Sequence, residues 1–270
     1  DLHSFPTRRS SDLQLELLKL IRCEFLKLKR RRFVALTMGV AFLFPIPVLF
    51  LAVRQAQSFY MLFRIVFVFG EMLFLPCVLG VLSAMIFLSE TENNVFKNML
   101  TVPVSKTKLF ISKCLVLMIL SVIYCLIELS ASIVASCFVG GSLQATSFIS
   151  FSILSGIFMF ATSLPVILFV IAFGKNYTIS NIVSFMYAVV CFALAYLCLG
   201  SGGEALLKTQ ITMLPVVTVF QWYLGYFPLE SRLQNYLPYA ISTTDIMIYM
   251  VIFSLIMILA GAIIYRRKEV

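Results

Sequence analysis

The sequence predicts an all-α integral membrane protein with six transmembrane helices, and three observations predict it. Of 270 residues, 61% are hydrophobic and 12% charged, with mean hydropathy +1.02; soluble domains are about 45–50% apolar and about 25% charged. Apolar runs of roughly the 20 residues that cross a hydrocarbon layer recur along the chain. The basic residues gather on one side of those runs. The runs are continuously apolar rather than alternating, and backbone in lipid must satisfy its hydrogen bonds within each segment, so helices are expected rather than a barrel.

Residues 1–13 are expected to stand apart from the fold. His3 to Leu13 reads HSFPTRRSSDL, which resembles the translation of a short sequencing adapter and shares nothing with the text after it. The alternative is a basic arm. The domain is therefore read over 14–270.

Leu15 to Arg32 opens it, with Leu18, Ile21, Phe25 and Leu28 at helical spacing and Glu16, Lys19, Cys23, Lys27 and Arg30 largely on another face. This reads either as an amphipathic interfacial helix on the cytoplasmic leaflet or as the basic flank of the first span. The spans follow as Phe33–Val53, Ile65–Ser89, Cys114–Gly140, Phe148–Gly174, Tyr177–Leu199 and Ile246–Tyr265. Thr209 to Leu229 is uncharged but holds Pro215, Pro228, Gln210, Gln221, Trp222, Tyr223 and Tyr226. That mixture suits a membrane interface, so the segment is read as re-entrant or interfacial on the outer side, with Trp222, Tyr223 and Tyr226 as interface residues.

Charge placement fixes the count. Six spans with the N-terminus inside leave Lys19, Arg22, Lys27, Lys29 to Arg32, Lys97, Lys106, Lys108, Lys113, Lys175 and Arg266 to Lys268 in the cytoplasm. Only Arg54, Arg64, Lys208 and Arg232 fall outside. A seventh span would move Arg266-Arg267-Lys268 to the wrong side, so both termini are expected in the cytoplasm. The net charge of +9 belongs to these flanks, and no nucleic-acid partner is expected.

The chemistry is constrained by what is missing. The one histidine, His3, lies in the segment set apart, so no Ser-His or Cys-His pair and no histidine metal cluster is expected. The seven cysteines form no C-x-x-C pair and fall mostly inside apolar runs, where they read as small buried thiols. Gly174-Lys175 is followed by Asn176, which excludes a G-x-x-x-x-G-K-[ST] phosphate loop. The chain is expected to be no enzyme and to bind no metal or cofactor itself.

Two acidic residues fall inside spans, Glu71 in the second and Glu128 in the third. A carboxylate at mid-membrane costs about 2.5–3.5 kcal/mol on insertion scales, so both should face protein or water. They read as a helix-to-helix hydrogen bond, a cargo contact or a route for protons. Between these two spans runs a polar link, in which Val95, Met99 and Val102 can share one helical face, Pro103 ends that helix and Ser105 can cap the next. A short surface helix able to press into a partner's groove is one reading, and a solvated loop the other.

The link also resembles a family. Permease subunits of ATP-binding-cassette exporters, of the drug, polysaccharide and lantibiotic-immunity type, carry E-x-E-x-G-T, apolar residues, P-v-s, and a lysine ten residues past the proline. Glu90, Glu92, Pro103, Ser105 and Lys113 match; Asn94 and Val95 stand where that pattern has Gly-Thr. The run FLKLKRRRF, Phe44-Pro45-Ile46-Pro47, Leu75 to Gly80 and Phe173 to Tyr177 look similar to lantibiotic or bacitracin protection permeases, and the likeness covers about Leu15 to Lys268. It implies a permease domain in a bacterial cell membrane, beside a second permease copy or paralogue, with membrane lipid around it. It implies that Glu90, Glu92, Val95, Phe96, Met99, Pro103, Ser105 and Lys113 couple to a separate ATPase, which supplies ATP and Mg. It also implies an amphipathic peptide antibiotic as cargo. A proton-coupled secondary carrier and a nonenzymatic membrane immunity protein are the alternatives.

Overall fold

The computed structural model describes residues 10–54, 59–92, 105–139, 145–174, 176–199, 213–227 and 231–267. Among these the chain is helical throughout, and six helices are long and apolar enough to cross a membrane: Arg32–Phe50, Tyr60–Leu88, Lys106–Val134, Ser147–Phe173, Tyr177–Cys198 and Thr243–Arg267. The six spans read from hydropathy correspond to these one for one. The second and third begin earlier than expected, because the helices run on past the apolar stretch into Arg64 and into Lys106 and Lys108.

Helix α1 (Ser10–Lys29) leads into the first span, which is built from α2 (Arg32–Leu43) and α3 (Pro45–Arg54). Pro45 and Pro47 carry no N–H, so the helix breaks at Phe44, whose ring packs edge-on against Phe74 at 5.5 Å. Helix α1 packs along the third span as well as on the first. Its buried face turns out to run through Leu20, Ile21, Glu24, Phe25 and Leu28, while Leu18, expected on that face, is exposed. Buried Glu24 is paired with Lys27 at 2.6 Å, which lets an acidic residue sit in the contact.

The second span joins α4 (Phe59–Ile65), a π-helix (Val66–Phe74) and α5 (Leu75–Glu92). The π-helix ends where the Leu75 N–H donates to the Gly70 carbonyl, five residues back. Pro76, the next residue, cannot donate and its ring crowds the carbonyl of an ordinary α turn. A widened turn just before it relieves both problems. The third span is α6 (Lys106–Val139), whose 34 residues extend for about 51 Å, well beyond a hydrocarbon layer of about 30 Å.

Helix α7 (Ala145–Phe173) lies against α6 in the centre of the bundle. A methyl group at Gly156 would stand 2.7 Å from the Val122 Cα, so glycine lets the two backbones meet. Ser121 then donates to the Gly156 carbonyl across the contact at 2.7 Å. Farther along, Pro165 leaves α7 short of one donor, and the Tyr187 hydroxyl of α8 (Tyr177–Leu199) donates to the nearby Thr162 carbonyl.

A short α9 (Pro215–Tyr226) and a 3-10 turn (Ser231–Tyr239) precede the last span, α10 (Thr243–Arg267). Most of the fourth span is buried inside the protein, whereas most of the last is exposed. The second, third and fourth spans thus form the protein core, and the first, fifth and sixth surround it with apolar faces turned outward.

Candidate functional sites

One end of the bundle brings together the end of α5, the start of α6 and the end of α10. Ser105 caps α6 as its sequence position suggests: its Oγ accepts the Lys108 N–H at 3.3 Å. Two turns on, Lys113 is wholly buried, and its Nζ donates to the Ile86 carbonyl at 3.0 Å while lying 5.2 Å from the centre of the Phe87 ring. The ammonium therefore ties the second span to the third just where the polar link leaves and returns. Phe87, Phe110 and Tyr265 close this end, with Tyr265 5.8 Å from each of the other two rings. Gly261 brings α10 within reach: an added Cβ would stand 2.6 Å from Phe110 and from Leu168.

The link itself is only partly described. Glu90 and Glu92 lie at the end of α5, whereas Val95, Phe96, Met99 and Pro103 fall outside the described residues. Of the coupling set, Glu90 and Glu92 thus lie where the link leaves α5, and Ser105 and Lys113 where it enters α6. Lys113 carries a role the sequence pattern does not specify, because nothing in the spacing says that its amine turns inward to another helix.

A second polar site lies deep in the core. Glu71 is on the π-helix and Glu128 on α6, 2% and 1% exposed, and their carboxyl groups interact. The Glu128 carboxyl lies against the π-helix at Gly70, in the space that any Cβ there would fill. Ser155 of α7 and Cys125 of α6 stand beside Glu71. Tyr124 of α6 stands beside Glu128. The two acids, 57 residues apart in the chain, become neighbours because glycine at position 70 leaves the π-helix surface bare for the Glu128 carboxyl.

At the other end of the bundle α9 is set into the protein. Its twelve residues reach about 18 Å, too short to cross a hydrocarbon layer of about 30 Å. Every residue from Val216 to Leu224 is buried. Of the rings expected at a lipid interface, Trp222 and Tyr223 are enclosed by protein and Tyr226 is half-buried. Trp222 stacks on Phe151 at 4.7 Å and 4° and donates to Thr243 Oγ1 at 3.1 Å. Tyr223 stacks on Phe67 at 4.5 Å, and the Tyr226 hydroxyl donates to the Ser147 carbonyl at 3.3 Å. Proline and aromatic content pointed to a re-entrant or interfacial segment; the partners of its rings lie in distant parts of the chain, which composition does not reveal.

Six apolar helices around a packed core define a multi-pass membrane protein. The chain belongs to the ABC-2 family of transporter proteins, whose family model matches residues 20–191. That stretch runs from α1 into α8 and includes Glu71, Lys113 and Glu128, but neither α9 nor the last span. No curated protein matches the chain. Family membership makes this chain the membrane permease subunit of an ABC transporter, served by a separate ATP-binding subunit.

Proposed function

We propose that this permease exports amphipathic peptide antibiotics, lantibiotics among them, from a bacterial cell membrane, with the ATPase docking on the link between the second and third spans. The observation that carries the coupling part is the Lys113 tie. Because the ammonium holds the end of α5 to the start of α6, a push on the link moves both spans together rather than bending a loop. The ATPase side is cytoplasmic in this reading, since Lys19, Lys29 to Arg32, Lys106, Lys108, Arg266 and Arg267 share the end where the link emerges. Both termini then lie in the cytoplasm, ATP and Mg are held by the partner, and a second permease copy or paralogue completes the pathway.

The cargo class rests on the resemblance to lantibiotic and bacitracin protection permeases. Peptides of this kind partition into the outer leaflet, so a pump could take them from the membrane rather than from the cytosol. The test is expression of residues 14–270 with the cognate ATPase, scored as tolerance to a panel of lantibiotics and bacitracin-like peptides. A control carries an ATPase without its phosphate-loop lysine. Tolerance only with the intact ATPase is expected. Equal protection in the control would overturn the ATP-driven mechanism, and no protection across the panel would overturn the cargo class.

A further inference from the structure

Helix α1 turns outward a face that its apolar spacing does not single out. Ile21, Phe25 and Leu28, the stripe that suggests a helix lying on a leaflet, pack instead against the protein, where α1 meets α2 and α6. What faces away is Leu18, Lys19, Arg22, Cys23, Leu26 and Lys27, followed by the exposed run Lys29 to Arg32. Glu24, the one acid among the described side chains from Leu18 to Arg32, is turned into the contact and holds Lys27 there. The outward surface of this stretch therefore carries positive charge only.

Two leucines interrupt that charge. Leu18 is 63% exposed and Leu26 45%, and at four-residue steps they flank Arg22 on one side of the helix. Exposed leucines among long basic side chains suit the boundary between water and hydrocarbon, where the charged tips stay with the headgroups and the apolar parts enter beneath them. The position agrees. Beyond Lys29 the chain turns through Arg31, extended at φ −80° and ψ 121°, and the first membrane span begins at Arg32. The run Lys29 to Arg32 thus stands at the mouth of a span, at the depth of the headgroups.

We propose that the outward face of α1 and the elbow between α1 and α2 bind anionic phospholipid headgroups of the leaflet at that end of the bundle. The lipid phosphates accept from Arg22 and from Lys29 to Arg32, while Leu18 and Leu26 enter the acyl boundary. Clustered cations attract a negatively charged leaflet additively, and zwitterionic lipid offers no such field. The opposite face of α1 grips α6, the helix into which the polar link runs, so an anionic leaflet steadies the helix that braces one root of the link. The inference concerns lipid alone and depends neither on the cargo nor on where the ATPase docks.

Cys23, exposed beside Arg22, offers the probe. In the full chain with the other cysteines replaced, an environment-sensitive fluorophore on Cys23 is read in nanodiscs of phosphatidylcholine with and without phosphatidylglycerol. Phosphatidylglycerol is expected to shift the emission to the blue and to raise quenching by lipids with a nitroxide near the headgroup, and high salt to reverse both. Arg22→Gln, Lys29→Gln and Arg30→Gln combined should abolish the response. Arg266→Gln with Arg267→Gln, exposed cations of another helix, should keep it. Melting temperatures in phosphatidylcholine close to that of the wild type verify that the variants fold. Lipid retained by the purified wild type should also be enriched in phosphatidylglycerol over the bulk mixture. No response in the wild type, the same response in the triple variant, or no enrichment overturns the proposal. So does an emission that ignores phosphatidylglycerol and shifts only when the ATPase subunit is added, which would give this face to that partner.

Discussion

The amine of Lys113 ends 3.0 Å from the carbonyl oxygen of Ile86, a bond between two membrane helices made by a side chain that is wholly buried. Loss of a buried partner of this kind costs about 1–3 kcal/mol. Lys113→Met, which keeps the length of the stem, is expected to insert normally but to melt at lower temperature. In the complex it should also lower stimulation of the ATPase by cargo. Unchanged stimulation in a correctly inserted variant would remove Lys113 from the coupling path.

The docking role proposed for the link is tested by charge. Glu92→Lys and Phe96→Asp are expected to leave the chain in the membrane and to reduce copurification of the ATPase subunit, because reversed or added charge opposes a preformed partner surface. If both variants retain the full amount of ATPase, the docking assignment is wrong.

Contact between Glu128 and Gly70 predicts a pairwise effect. Gly70→Ala drives a methyl group into the Glu128 carboxyl and should destabilise the protein by about 1–3 kcal/mol, as overpacking does. Glu128→Asp withdraws the carboxyl by one methylene and should recover part of that loss when the two are combined. A double-mutant cycle on melting free energies measures it, and strict additivity would mean that the two residues do not touch.

The sole tryptophan gives a direct optical test of α9. With Trp222 enclosed by Phe151, Phe158 and Tyr226, its emission should be blue-shifted and quenched weakly both by aqueous iodide and by spin-labelled lipids. Strong quenching by lipid labels would return Trp222 to the membrane interface. Trp222→Ala is expected to cost about 3–5 kcal/mol, the range for a fully buried aromatic.

Topology is tested with single cysteines in a background lacking the native ones. Positions Ser142 and Gly203 should react from outside with an impermeant thiol reagent, whereas Asn98 should not. Labelling of Asn98 in sealed cells would invert the arrangement.

The spans were legible in the sequence because burial in lipid requires about 20 apolar residues in a row, a signal that is local and survives without knowledge of neighbours. The cap at Ser105 was legible for the same reason, since it involves residues three apart. Contacts between helices were not. Leu18 looked equivalent to Leu28, yet only the latter is buried, because the direction of the neighbouring helices selects the face. Trp222 looked like an anchor because an aromatic ring with one polar atom suits an interface and a protein core equally well. Glu71 and Glu128 were recognisable as costly; that Glu128 would rest on the turn carrying Glu71 depends on Gly70 and on a π turn, whose local cue is the proline that follows.

That turn also bears on how span two must be compared with its relatives. A π turn takes in one residue more than an α turn, so straightening it means deleting a residue inside the membrane. Each α-helical residue turns the chain by about 100°, and the insertion therefore sets the half containing Ser83 and Phe87 at a different rotation from the half containing Phe63 and Phe67. Sequence alignments that forbid gaps within hydrophobic segments will misalign one of these halves wherever a homologue has a regular helix.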